Sequence, residues 1–269
     1  MTAAELIRAL GIGLLAGLHT SIWGMYKDAP HEGFTWGKFR RSALFGAAIG
    51  PLAAWFFSLT PTSAGLAVVL FGVTYGLERG VAESYKTFFR DQDQSKYTIP
   101  MQLAVFGTPV ESRAVRRLLG VGYVAVMVLG LLGVDTLQAR IGGGPRWLVA
   151  LTIGALGGWF SAFGGAWKDA PIEGFHVLKF FRSPLMAAAY AWVILHFTDR
   201  WAVAVLAAIG YTVATTETYK TFFFPSKPRG KFAGKPVLFP ALVTRRHWAV
   251  PVYVAIWLLV IGTCWVALA

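Results

Sequence analysis

Lys27–Ser42 reads KDAPHEGFTWGKFRRS, and Lys168–Ser183 reads KDAPIEGFHVLKFFRS, identical at 11 of 16 positions. A second block, ESYKTFF from Glu83 to Phe89, returns as ETYKTFF from Glu217 to Phe223, differing only at Ser84 against Thr218. Two blocks recurring in the same order are the mark of a tandem duplication, with one half at 1–137, a linker at 138–145 and a second half at 146–269. The linker carries Gly142, Gly143, Gly144 and Pro145, which suits a turn between the halves. The spacing of the first block also maps Gly13 and Gly17 onto Gly154 and Gly158, a small-residue face that lets helix backbones approach closely.

Outside these blocks the chain is strongly apolar. Of its 269 residues 56% are hydrophobic and 14% charged, against roughly a quarter charged in an ordinary soluble domain. A water-soluble globule is therefore excluded as the leading class. The apolar runs match the length that crosses a bilayer as helix, about 20 residues. Eight spans are expected, at 3–25, 43–59, 62–82, 115–137, 146–167, 184–198, 200–219 and 248–268. The expected fold is an all-α integral membrane bundle of two four-helix repeats. An even number of spans per repeat means that both halves enter the membrane in one direction, related by a pseudo-twofold along its normal.

Charge sets the expected orientation. The loops after odd-numbered spans hold 20 of the 25 Lys and Arg residues, so the positive-inside rule puts them in the cytoplasm and both termini outside. A cytoplasmic (inner) membrane location follows. The formal net charge of +12 is then read as contact with anionic lipid headgroups rather than nucleic acid, since no soluble module is left to bind one. The one cysteine, Cys264, excludes an intrachain disulfide or a thiol-rich metal site. The phosphate loop, the nucleophile elbow and the zinc-protease helix are absent as motifs. Aspartate-rich signatures of prenyl and CDP-alcohol transferases are missing too. Association into homo-oligomers is compatible with all of this.

The candidate site lies in the repeated blocks. Six of the 13 acids occupy matched positions, Asp28 with Asp169, Glu32 with Glu173 and Glu83 with Glu217. Matched bases are Lys27 with Lys168, Lys38 with Lys179, Arg41 with Arg182 and Lys86 with Lys220. Charges beside hydrocarbon are costly unless paired or hydrated, which makes them functional candidates. One reading has the acids and bases pair, tying a short interfacial helix to the third helix of its own repeat. Another makes the bases a substrate-binding site for a small anionic solute or a lipid phosphate. A third holds magnesium between Asp28 and Glu32, or Asp169 and Glu173, against which Lys27 and Lys168 argue; no cofactor is the expectation.

Local geometry adds detail. Asp28, ahead of Ala29 and Pro30, suits the N-cap of a short interfacial helix, on which Phe34, Lys38 and Arg41 would share a side. Glu83 with Lys86, and Glu217 with Lys220, are spaced to pair on a helix. Glu78, unmatched by Thr212, and His19, unmatched by Phe160, are candidates for a pathway through the bundle. Preservation of both copies favours a transporter, channel or flippase-like protein over an enzyme. The alternatives are a membrane-embedded transferase or hydrolase acting on a phosphate-bearing lipid, with Asp28 or Asp169 catalytic, and a non-catalytic subunit of a larger membrane complex.

Overall fold

Each expected apolar run falls in or overlaps a long helix. The computed structural model describes residues 1–93, 102–105, 108–229 and 232–269, with side chains for all of these except 167–173. The helices are α1 (Ala3–Glu32), α2 (Trp36–Phe56), α3 (Ala64–Ser84), α4 (Arg113–Ile141), α5 (Arg146–Val149), α6 (Ala155–Glu173), α7 (Val177–Ile194), α8 (Trp201–Phe222), α9 (Pro240–Arg245) and α10 (Val250–Leu268). A π turn at Tyr85–Phe89 extends α3, and another at Ala150–Gly154 joins α5 to α6. A two-residue hairpin, β1 (Ala104–Val105) with β2 (Thr108–Pro109), lies between α3 and α4. Among the described residues six helices are long and apolar enough to cross a membrane. This is the make-up of a multipass membrane protein. Two further long helices, α2 and α8, fall outside that group.

Small residues set how closely these helices pack. Side chains added at Gly13 and Gly17 would strike Gly46, Gly50 and the Ser42–Ala43 backbone of α2. At Gly154 and Gly158 they would strike Ala187, Ala188 and the Ser183–Pro184 backbone of α7. Gly13, Gly17, Ser42 and Gly46 each lie 141 residues from their counterparts Gly154, Gly158, Ser183 and Ala187. In the middle of the bundle α3 crosses α8 where Gly72 and Gly76 meet Gly210. α4 packs on α8 and on the Tyr85–Phe89 turn after α3, while α10 packs on α3 and α1. Gln138 of α4 fixes the first contact, its Nε2 donating to the Asp199 carbonyl and its Oε1 accepting from the Trp201 amide. Between its buried start at Arg116 and Gly120 and this contact, α4 is largely exposed and apolar, Leu118 and Leu129 included, as suits a surface solvated by lipid.

The first repeated block departs from its expected form. No helix starts at Asp28; α1 runs through it to Glu32 and stops at Gly33, whose φ of 77° few other residues adopt. The cap of α2 is Thr35, whose Oγ1 accepts from the Lys38 amide, so Lys38 and Arg41 ride the first turns of α2 and Phe34 precedes it. Pro30 inside α1 leaves the Tyr26 carbonyl without its usual donor four residues on. Arg246 supplies one, its Nη1 lying 3.0 Å from that oxygen. The Leu238 and Phe239 amides cap the Pro30 carbonyl, and His31 stacks on Phe232 with its Nδ1 2.7 Å from the Pro236 carbonyl. The segment before α10 thus takes the place of the donors that a helix with proline and a free end lacks.

Candidate functional site

The repeated blocks meet at one end of the bundle, where α1, α3 and α8 come together. Lys27 of α1 reaches across to Glu217 of α8, Nζ to Oε2 2.8 Å, and Lys220 stands 3.9 Å from the same carboxylate. The first repeated block at Lys27 is therefore paired with the later copy of the second block at Glu217. On α3, Glu83 and Lys86 pair at 2.9 Å, as their spacing predicts, and Arg79 stands 3.7 Å from Glu83. Arg79 also grips its neighbour Glu78 through two bonds, at 2.5 and 2.8 Å. Glu83 is near enough to repel Glu217. Trp23 lies between the two groups, with Lys27 Nζ 5.3 Å and the Arg79 guanidinium 5.5 Å from its ring centre. That arrangement is favourable to both cations.

Deeper in the bundle the polar groups form a column. The Tyr75 hydroxyl accepts from Trp23 Nε1 at 2.8 Å and is 3.0 Å from His19 Nδ1. The His19 ring stacks on Tyr253 and meets Trp257 edge-on. The hydroxyls of Tyr253 and Thr218 are in turn bonded, and Trp257 Nε1 donates to Thr218. Thr218 belongs to the second repeated block, so the column returns to the residue next to Glu217. His19 Nε2 is buried with no hydrogen-bond partner among the described residues. Tyr75→Phe would strip the shared hydroxyl from His19 and Trp23 at once, and should cost about 1–3 kcal/mol. Thermal unfolding in mild detergent reads this, and an unchanged midpoint would mean that the column contributes nothing to stability.

No protein-family model, curated protein or solved structure matches the chain.

The remaining expected site residues scatter more. Asp28 and Glu32 are half-buried on the last turns of α1, and Lys38 and Arg41 are exposed on α2. Lys179 and Arg182 are half-buried on α7, the latter with its guanidinium 6.0 Å from the Tyr219 ring centre. Lys168, Asp169 and Glu173 fall on the end of α6, where side chains lie outside the described residues. Among the described residues no three His, Cys, Asp or Glu side chains are gathered for a metal. Trp36, Trp147 and Trp248 are exposed as interfacial residues should be, whereas Trp201 is buried where α8 begins.

Sequence reasoning missed the aromatic column. Tyr75, Tyr253 and Trp257 stand in apolar runs without a charge or a repeat to single them out. It also missed Asp91, which takes the start of α4 by bonding Arg116 and Arg117, each at 2.7 Å. Three arginines in five residues, Arg113, Arg116 and Arg117, were the available signal.

Proposed function

We propose that this protein is a multipass carrier or channel of the cytoplasmic membrane, taking a small anionic solute or a lipid phosphate headgroup at a cytoplasm-facing basic site. The observation that carries the reading is the pairing of Lys27 with Glu217, which brings the repeated blocks of opposite halves to one place. Around that pair stand three acids and four bases: Glu78, Glu83 and Glu217 with Lys27, Arg79, Lys86 and Lys220. Ionisable side chains held inside a helical bundle at this density mark the routes of ions and substrates in membrane proteins. The column from Trp23 through Tyr75 to His19 extends polar groups from the charged end into the bundle, as a route requires.

The two halves are, on this reading, parallel repeats about an axis through the α3–α8 crossing. Gly76 and Gly210, which face each other there, are 134 residues apart, the spacing of the ESYKTFF and ETYKTFF blocks. The excess of Lys and Arg in the loops at the charged end orients that end to the cytoplasm and both termini outward. Anionic headgroups are the natural lipid partners of those loops.

A binding experiment tests the site. Inorganic phosphate and glycerol 3-phosphate should raise the unfolding midpoint of the purified protein above that in chloride, by the equivalent of about 2.7 kcal/mol at a hundredfold excess over Kd. The Lys86→Ala/Lys220→Ala protein should lose the increment. No increment from either anion well above ~1 mM, the weak end of specific binding, would sink the reading.

A further inference from the structure

Away from the charged junction, a cavity of about 540 Å³ lies between α7, α8 and α10. Tyr211, Thr215, Thr218 and Tyr219 line it from one face of α8, with Tyr190 of α7 and Cys264 of α10 among the walls. The polar atoms of Tyr190, Tyr211, Thr215, Thr218 and Trp257 are already engaged. Thr215 Oγ1 is bonded to Tyr190, Thr218 to Tyr253 and Trp257, and the Tyr211 hydroxyl donates to the Val68 carbonyl at 2.8 Å. What remains for an occupant is apolar surface. From Tyr211 to Phe223 the stripe on α8 rises ~18 Å at 1.5 Å per residue, close to one leaflet of a hydrocarbon core about 30 Å thick.

Beside the Tyr219 end of this groove stands a cation. Tyr219 lines the groove, and the Arg182 guanidinium stands 6.0 Å from its ring centre. Arg182 Nε is buried with no hydrogen-bond partner among the described residues. A buried Nε without a partner is costly, and the planar donors of a guanidinium match a phosphate. We propose that the groove between α7, α8 and α10 binds one acyl chain of an anionic phospholipid, whose phosphate is held by Arg182. A soluble anion would satisfy Arg182 and leave the groove empty. A second protein helix would fill the groove and bring no negative charge. The net charge of +12 favours anionic over zwitterionic lipid. The inference does not rest on the carrier reading, since the Lys27–Glu217 junction takes no part in it.

Cys264 provides the readout, being the chain's one cysteine and part of the groove wall. Its alkylation by an apolar maleimide is followed in delipidated full-length protein in mild detergent. Phosphatidylglycerol at ten times its Kd should slow the reaction about tenfold. Phosphatidylcholine of the same chains should protect at least tenfold less well, and glycerol 3-phosphate not at all. Arg182→Gln should weaken protection by phosphatidylglycerol about 10- to 100-fold, as loss of a charged hydrogen bond implies. Equal protection by both lipids would overturn the role of Arg182. Protection by glycerol 3-phosphate alone would make the site one for a soluble anion, protection rising with protein concentration would make it a contact between copies, and protection by none would leave no lipid site. The wild-type comparison decides the matter even if Arg182→Gln fails to fold. Lipid protection without a phosphate effect on unfolding would uphold this site and reject the carrier reading.

Discussion

Gly210→Ala should lower the unfolding midpoint by roughly 5–10 °C, while Gly133→Ala leaves it unchanged or slightly higher. The two substitutions are chemically identical, and Ala is the better helix former by about 1 kcal/mol at both places. The surroundings decide. A Cβ on Gly210 runs into the Gly72 carbonyl and comes within 2.9 Å of the Gly76 amide nitrogen, so backbone meets backbone and no side chain can swing away. Nothing lies within 4 Å of a Cβ on Gly133. Overpacking of this kind costs about 1–3 kcal/mol, and each kcal/mol shifts the midpoint of a chain this size by about 2–4 °C. Both proteins are compared by thermal unfolding in one detergent. Equal midpoints would mean that α3 and α8 do not cross at Gly72, Gly76 and Gly210.

The second large effect comes from the Lys27–Glu217 pair. Glu217→Gln removes the carboxylate between Lys27 and Lys220 while keeping the side chain's size. Both partners of the pair are mostly buried, at 12% and 16% side-chain exposure. Removing one member of a buried pair costs about 3–5 kcal/mol, most of it from the charge left behind. Neutralising both members should therefore be better tolerated than neutralising one. Lys27→Met/Glu217→Gln is expected to recover at least half of the loss seen in Glu217→Gln, a coupling that a double-mutant cycle isolates. Strictly additive losses would refute the bridge between the halves.

Much of the helical layout is legible in the sequence, because hydrocarbon demands long uninterrupted apolar helices and confines charge to their ends. The ends are where reading fails. Pro30 and the charges around it look like a break, yet α1 continues because Arg246, Leu238 and Phe239 bring donors from more than 200 residues away. Glu32-Gly33 and Glu173-Gly174 were the better stop signal, as both glycines take positive φ. At the site, the pairing of Glu83 with Lys86 follows from helical spacing alone. That Lys27 pairs with Glu217 does not, since local spacing says nothing of which half supplies the partner. His19 is singled out in the sequence as a histidine unmatched by Phe160, but its company of Tyr75, Tyr253 and Trp257 is a matter of how α1, α3 and α10 pack.

The packing of α4 on α8 and of α10 on α3 bears on how the chain is made. At about 5–20 residues per second, the ribosome completes α4 several seconds before α8 exists to receive it. Through that interval the face of α3 that α10 will cover, and the face of α4 that will meet α8, have lipid for a neighbour. The first four helices must wait, inserted and unfinished, for the second set to thread between them, so a stop codon after Ile141 should yield an inserted fragment that the cell degrades rather than half of a working protein.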